Sequence, residues 1–308
     1  MQLLQNVNID FIGKRNFALM LSVAIIVIGL ASVLFHQGLN YGIDFAGGTL
    51  VQIKFNKSVS VDDLRKAIKD DRLGTPTIQV LGESASNEFI IKVAKPVEKE
   101  VDQTPAVIVT KHIEEAFGKQ NFDIRRAESV GPTMGEELKN SAVGSIIGAL
   151  IMILIYITVR FELRFAIGAI AALVHDVLIT IGAFSIADRE FNLPVVAALL
   201  TIVGYSLNDT IVVFDRIREN QRLLHRKKFT DVINVSINQT LSRTLLTSVT
   251  TLLVVLCLFV LGGEVINDFA FALLVGILVG TYSSIFVASP VLVWWSAFMG
   301  MFQSKSGK

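Results

Sequence analysis

Apolar residues gather into six long runs, at about residues 17–35, 141–159, 165–187, 193–214, 244–262 and 267–293, and thin out between residues 36 and 140. Each run holds about nineteen residues or more, enough for an α-helix to cross a hydrocarbon layer about 30 Å thick. The pattern predicts an α-helical polytopic membrane protein with six transmembrane helices. The first run has no A-x-A-like cleavage pattern directly after it and reads as a retained helix at 17–35. Ahead of it, Leu3, Leu4, Val7, Phe11 and Ile12 are expected to lie along a membrane surface, making residues 1–16 an interfacial N-terminal segment.

The stretch from 36 to 140 has shorter periods. TLVQIKF (49–55) alternates as a strand does, VSVDDLRKAIKDD (59–71) is helical with Val61, Leu64 and Ile68 on one side, and TIQVLGE (77–83) and EFIIKVAK (88–95) read as strands. TPAVIVTKHIEEAFG (104–118) reads as a helix closed by Gly118, and NFDIRRAESVG (121–131) as a last strand. Ser60 is placed to cap the first helix, with Asp63 three residues on. Strand, helix, strand, strand, helix, strand is the split βαβ, or ferredoxin-like, order, so a small α+β domain is expected between helices one and two. That fold hosts many functions and assigns none.

Charge orients the predicted spans. Lys14 and Arg15 precede the first, Arg160 and Arg164 separate the second and third, and Arg216, Arg218, Arg222, Arg226, Lys227 and Lys228 follow the fourth. Positive residues flanking spans stay cytoplasmic, which puts both termini, the basic loop 215–243 and the tail 294–308 on the cytoplasmic side and the long loop outside. The basic segment 216–228 is better explained by topology and anionic headgroups of membrane lipids than by nucleic acid. The chain is 52% hydrophobic and 18% charged with mean hydropathy +0.58, the composition of an integral membrane protein. Its one cysteine, Cys257, allows no intrachain disulfide. There is no His pair at metal-ligand spacing, no G-x-S-x-G and no nucleotide loop, so neither enzyme chemistry, cofactor nor metal is expected.

Candidate chemistry lies inside the spans. In LPVVAALLTIVGYSLNDTIVVFDRIRENQRLLHRKK (193–228), Thr201, Tyr205, Asn208 and Asp209 fall on one helical stripe. An ionised carboxylate in hydrocarbon is costly and marks an ion or proton path by default, the alternative being a bond to a neighbouring helix for packing. Asp176 falls near the middle of the third span as a relay carboxylate or a helix-to-helix bonder, and His175 as a titrating or a packed polar residue. Adjacent helical residues point about 100° apart, so these two are not expected to form one site by themselves. Arg243 opens the fifth span, within side-chain reach of Asp209, or snorkels to the interface. Glu264 and Asp268 are expected to be solvated charges in an outer connector. LNYGIDFAGGTLVQIKF (39–55) groups Gly42, Asp44, Gly47 and Gly48 in a tight junction, where no helix is expected. Gly131, Pro132 and Gly135 are expected to interrupt regular structure before the second span, so both junctions read as hinges.

GIDFAGGT (42–49), VGPTMGEEL (130–138) and GYSLNDTIVVFDRIREN (204–220), with one large first outer loop among six spans, resemble the SecF family of the bacterial SecD/SecF protein-export accessory complex. The resemblance covers essentially the whole chain. It implies a resistance-nodulation-division membrane fold in the bacterial inner membrane, with the long loop periplasmic and a SecD partner supplying a second six-helix half. It further implies proton-motive-force-driven assistance to preproteins leaving the SecYEG channel, YajC as a further candidate partner, and Asp209 with Arg243 as a charge-transfer pair. Half of a small-molecule efflux pump, or a structural subunit whose charges only hold helices together, stay open beside it.

Overall fold

The computed structural model describes residues 8–70, 73, 76–81, 87–93 and 105–306. Leu3, Leu4, Val7, Asp71, residue 104 and the predicted strand ends at 82–83 and 94–95 lie outside the described residues.

Phe11 and Ile12 do not lie along a membrane surface. Both are buried in the bundle core, Phe11 meeting Phe286 edge-on at 5.7 Å, and Asn234 accepts the Phe11 amide at 2.8 Å. Apolar side chains facing other protein leave water just as those facing lipid do, so spacing alone does not separate the two. The first span, α1 (Arg15–Phe35), follows.

The chain then makes a single helical turn, α2 (Ile43–Ala46), where no helix was expected. Asp44 in that turn accepts the amide of Leu193 at 2.8 Å. Gly47 leaves it at φ +73, a left-handed conformation that suits glycine.

Beyond this junction stands a four-stranded antiparallel sheet: β1 (Gly48–Phe55), β2 (Thr77–Leu81), β3 (Glu88–Val93) and β4 (Phe122–Val130), in the order β2-β3-β1-β4. Helices α3 (Val61–Ala67) and α4 (Pro105–Phe117) cover one face, closing a core of Val51, Ile53, Phe55, Leu64, Ile91 and Ile113. Ser60 caps α3 as expected, accepting the Asp63 amide at 3.1 Å, and Gly118 ends α4 at φ +82. The register pairs Gly48 with Val130, so the domain's two ends are neighbours.

The second span, α5 (Pro132–Arg160), starts at the proline and runs unbroken through Gly135. The expected interruption is absent for two physical reasons. A proline in the first turn has no amide the helix needs, and Gly135 is small because α2 lies on it: an added Cβ would stand 2.9 Å from the Phe45 carbonyl oxygen.

The remaining spans are α6 (Leu163–Ile186), α7 (Leu193–Leu223), α8 (Phe229–Leu261) and α9 (Glu264–Ser283), the last continuing through a π turn at Ser284–Ala288 into α10 (Ser289–Ser306). All six are long and apolar enough to cross a membrane. Half or more of α6, α7 and the α9–α10 span is buried, whereas α1, α5 and α8 stand at the rim. The predicted basic loop 215–243 is mostly helix, because α7 and α8 run on beyond the apolar region. Asn220 holds the extensions together, donating to Ser236 at 2.9 Å and Gln239 at 2.7 Å. Residues 294–306 likewise continue α10 rather than forming a loose tail.

Candidate functional site

At the N-terminal end of α7, Asn192 accepts the Val195 amide at 3.2 Å and the Asp44 bond adds a second cap. These fix the helix that carries Asp209. Its carboxylate is buried and accepts the Ser248 hydroxyl of α8 at 3.4 Å; Ser248 also meets Thr281 of α9 at 2.7 Å. Arg243 lies one turn before Ser248 and is exposed. Among the described residues no ion pair joins Asp209 to Arg243, although the cation is near enough for its charge to act on the carboxylate. The reason is angular: Thr244 and Ser248 share the face of α8 turned to α7, and Arg243 sits on its flank. The hydroxyls of Thr210 and Thr244 are buried on the two sides of this contact without a hydrogen-bond partner.

The predicted stripe on α7 faces two ways. Tyr205 donates to the Thr247 carbonyl at 3.1 Å and lies near Thr251 Oγ1 at 3.2 Å, whereas Thr201 and Asn208 are exposed.

His175 and Asp176, midway along α6, do form one site, against the expectation drawn from their adjacency. Their side chains bend together until His175 Nδ1 stands 2.9 Å from Asp176 Oδ1. Asp176 Oδ2 accepts Ser206 of α7 at 2.6 Å and Ser283 of α9 at 2.8 Å. His175 Nε2 lies 3.0 Å from Ser22 of α1, Ser22 donates to Tyr282 at 3.2 Å, and Tyr282 donates to the Ala18 carbonyl at 2.7 Å. Direction of Cα–Cβ bonds governs only short side chains, and these two are long enough to converge. Ser22, Ser206, Ser248, Ser283 and Tyr282 were not singled out from the sequence. The available signal was the small-residue stripe Ala18, Ser22, Gly29, whose members are the buried residues of α1.

At the helix ends beside the sheet, Asp268 is not a solvated charge. It pairs with Arg189 at 2.9 Å, and that guanidinium also bonds Asn267 at 2.6 Å and stacks over Phe271. Lys92 on the sheet pairs with Glu190 between α6 and α7. Both pairs line a cleft of about 380 Å³ between the open face of the sheet and the helix ends. Of the junction residues, Gly42, Asp44, Gly47, Gly48 and Gly135 come together around α2, and Gly131 and Pro132 begin α5.

A six-span bundle with ionisable groups in its core and one appended α+β domain defines a multi-pass membrane protein of the transport class. Residues 109–297 match the model described as protein export membrane protein SecD/SecF, C-terminal, and residues 32–59 match the SecD/SecF GG motif. The chain is 48% identical to the protein translocase subunit SecF of Calditerrivibrio nitroreducens over 92% of this chain and 93% of that protein. It is 50% identical to that of Magnetococcus marinus over 94% and 93%. The crystal structure of SecDF, a translocon-associated membrane protein from Thermus thermophilus, superimposes with a TM-score of 0.80 at 40% identity over 95% of this chain. SecDF in its super-membrane-facing form gives a TM-score of 0.72 at 38% identity over 99%. The chain spans 39% and 41% of those two SecDF chains. It belongs to the SecF protein translocase subunits of the SecD/SecF family.

Proposed function

We propose that the chain is one half of a proton-driven motor that assists late steps of preprotein export through the SecYEG channel. Its other half is a SecD-type partner with six further spans, consistent with a chain that covers about two-fifths of SecDF. YajC is a further candidate partner. The basic ends of α5, α6, α7 and α8 face the cytoplasmic headgroups of a bacterial inner membrane, by the positive-inside rule. The outer domain is of the ferredoxin-like kind, as its split βαβ order and antiparallel sheet suggest, and stands in the periplasm.

The observation that carries this reading is the buried carboxylate of Asp209, held by one long hydroxyl contact with a cation nearby but not in contact. Ionised, Asp209 attracts Arg243 from the flank of α8 towards α7. Protonated, it does not, while the guanidinium keeps its charge and turns to the interface. A proton crossing 100 mV carries about 2.3 kcal/mol, enough to shift a helix-packing equilibrium by several tens-fold. The unpartnered hydroxyls of Thr210 and Thr244 offer polar footholds along such a path. The outer domain, joined through Gly47–Gly48 and Gly131–Pro132, converts helix shifts into movement of its cleft.

The test is proton-gradient-stimulated export in inverted vesicles. Asp209→Asn, nearly isosteric with the protonated form, should remove the stimulation while the complex stays assembled. Asp209→Glu should retain part of it, and Arg243→Lys less, since Lys lacks the planar fork. Stimulation by Asp209→Asn equal to the parent would falsify the mechanism. Sensitivity to small molecules with normal secretion, on deletion of the gene, would favour an efflux pump instead.

A further inference from the structure

We infer that His175 and Asp176 form an ionised imidazolium–carboxylate pair in the membrane core, a proton-binding site separate from Asp209, and that its charge state sets how α1 is fastened to the bundle. The hydrogen on Nε2 follows from counting hydrogens, and the one on Nδ1 from the two hydroxyl bonds that Asp176 Oδ2 accepts. Its consequence for export rests on the proton-coupled reading above.

Tyr282 has one hydroxyl hydrogen and gives it to the Ala18 carbonyl at 2.7 Å. Its oxygen therefore accepts from Ser22 at 3.2 Å, which uses the one hydrogen Ser22 has. The 3.0 Å contact between Ser22 Oγ and His175 Nε2 then requires the hydrogen to be on the imidazole. On the other side, Asp176 Oδ2 accepts Ser206 at 2.6 Å and Ser283 at 2.8 Å, two donors that favour the ionised carboxylate, and on that ground the hydrogen shared between Oδ1 and His175 Nδ1, 2.9 Å apart, is assigned to the ring. Both ring nitrogens carry hydrogens and the imidazole is a cation. A neutral ring with Ser22 donating to Nε2 leaves the Ser22–Tyr282 contact without a hydrogen.

Burial requires the two groups to be charged together or neutral together. The two side chains are 6% and 1% exposed, a setting where one charge without the other would be heavily penalised. Among the described residues, α1 offers no ionisable group between Arg15 and His36, and none lies between Tyr282 and Ser304 on the sixth span. On α7 the nearest is Asp209, three residues beyond Ser206, and on α5 it is the exposed Tyr156. His175 and Asp176 are each other's counter-ions. The Tyr282 ring stacks on the imidazole, 6.1 Å between centroids and 23° between planes, the approach a cation favours over an aromatic face.

The two ends of the pair hold different helices. Removing the hydrogen from Nε2 turns that nitrogen into an acceptor, so Ser22 rotates to donate to it and releases Tyr282; α1 loses one of its ties to α9. A hydrogen added at Asp176 Oδ2 displaces Ser206 or Ser283 and loosens α7 or α9 from α6, whereas one added at Oδ1 ends the bond to His175 instead. Because α1 leads directly into the domain junction, where Tyr41 pairs with Phe191, the proton is read by the helix that carries the outer domain.

The test uses the chain purified with its second membrane half in lipid nanodiscs, with histidine labelled by nitrogen-15. Of four histidines, His175 is assigned by the signal lost in His175→Gln. At neutral pH both of its nitrogens should show the shift of a hydrogen-bearing imidazolium. Ser22→Ala and Tyr282→Phe should each move one nitrogen to the unprotonated position, since the first removes the acceptor of Nε2–H and the second frees Ser22 to donate. Ser32→Ala, which removes the hydroxyl that meets Ser185 and His36 Nδ1, should leave both His175 signals in place. A bare ring nitrogen in the parent overturns the ionised pair. In vesicles, Ser22→Ala should lose gradient stimulation and Ser32→Ala keep it; equal stimulation overturns the link to α1. Failure of the export reading would show separately, as a parent complex without gradient-stimulated export whose His175 signals are nonetheless those of the ionised pair.

Discussion

The crossing of α1 and α6 rests on two glycines, and one methyl group there should be felt along the whole contact. A Cβ added at Gly29 would stand 2.8 Å from the Gly182 Cα, where ordinary contacts begin at 3.4 Å. Both contacting atoms belong to helical backbone, so relief requires α1 to withdraw by about 1 Å to reach a normal carbon–carbon separation. The Ser22–His175 and Ser32–Ser185 bonds on either side, at 3.0 and 2.9 Å, would then approach about 4 Å, beyond hydrogen-bonding range. A neutral bond between membrane helices contributes about 0.6 kcal/mol and one to a charged group about 1.5–3 kcal/mol, so the loss is about 2–4 kcal/mol. Replacing glycine by alanine also adds about 1 kcal/mol of helix propensity. Gly148→Ala isolates that gain, because nothing lies within 4 Å of its added Cβ. Followed by tryptophan fluorescence on heating, Gly29→Ala should melt about 4–16 °C below Gly148→Ala. Equal melting, within about a degree, would refute the reasoning that this crossing is close-packed and hydroxyl-bonded.

Other consequences are open to equally direct measurement. Cysteines at Lys92 and Glu190, in a Cys257→Ser background, joined across the cleft by a reducible bifunctional thiol reagent, should slow gradient-driven export until reductant is added; export indifferent to the crosslink would remove the moving-domain idea. Ser60→Ala should destabilise α3 by about 0.5–2 kcal/mol, read as faster amide exchange at Asp63 and its neighbours. Asp44→Ala strips one cap from α7 and should cost about 1 kcal/mol at that end, with the Leu193 amide exchanging faster and Asp209's surroundings unchanged; unaltered exchange at Leu193 would show the bond contributes nothing.

The six spans were legible because a hydrocarbon slab demands long apolar runs, and nothing else in the chain imitates them. Their ends were not. Residues 215–223 and 229–243 continue α7 and α8 with mostly polar side chains; Ile233, Ile237 and Leu241 recur every fourth residue there and are buried, but a sparse apolar stripe in a charged segment does not read as part of a span. Gly135 and Pro132 show the converse limit: residues that break helices in isolation can begin one or admit a neighbour's backbone. Asp209 announced itself as a carboxylate among apolar residues, but Ser248, its actual partner, is one hydroxyl among many in SVTTLL. The His175–Asp176 pair was visible as two residues and invisible as a site, since its other members come from α1, α7 and α9. Long-range convergence of short polar side chains is set by packing, and packing is the part a linear pattern carries least.

Gly48 and Val130 face each other across one strand spacing, about 4.8 Å. The chain thus leaves the membrane half and returns to it through a single doorway, and whatever is folded between those two residues adds no more reach than a tight turn. Once β1 and β4 pair during synthesis, the segments leading to α1 and α5 are delivered as neighbours before α6 has been made. The bundle then assembles as though the two helices had been joined by a short loop, spared the closure entropy of the eighty or so residues in between.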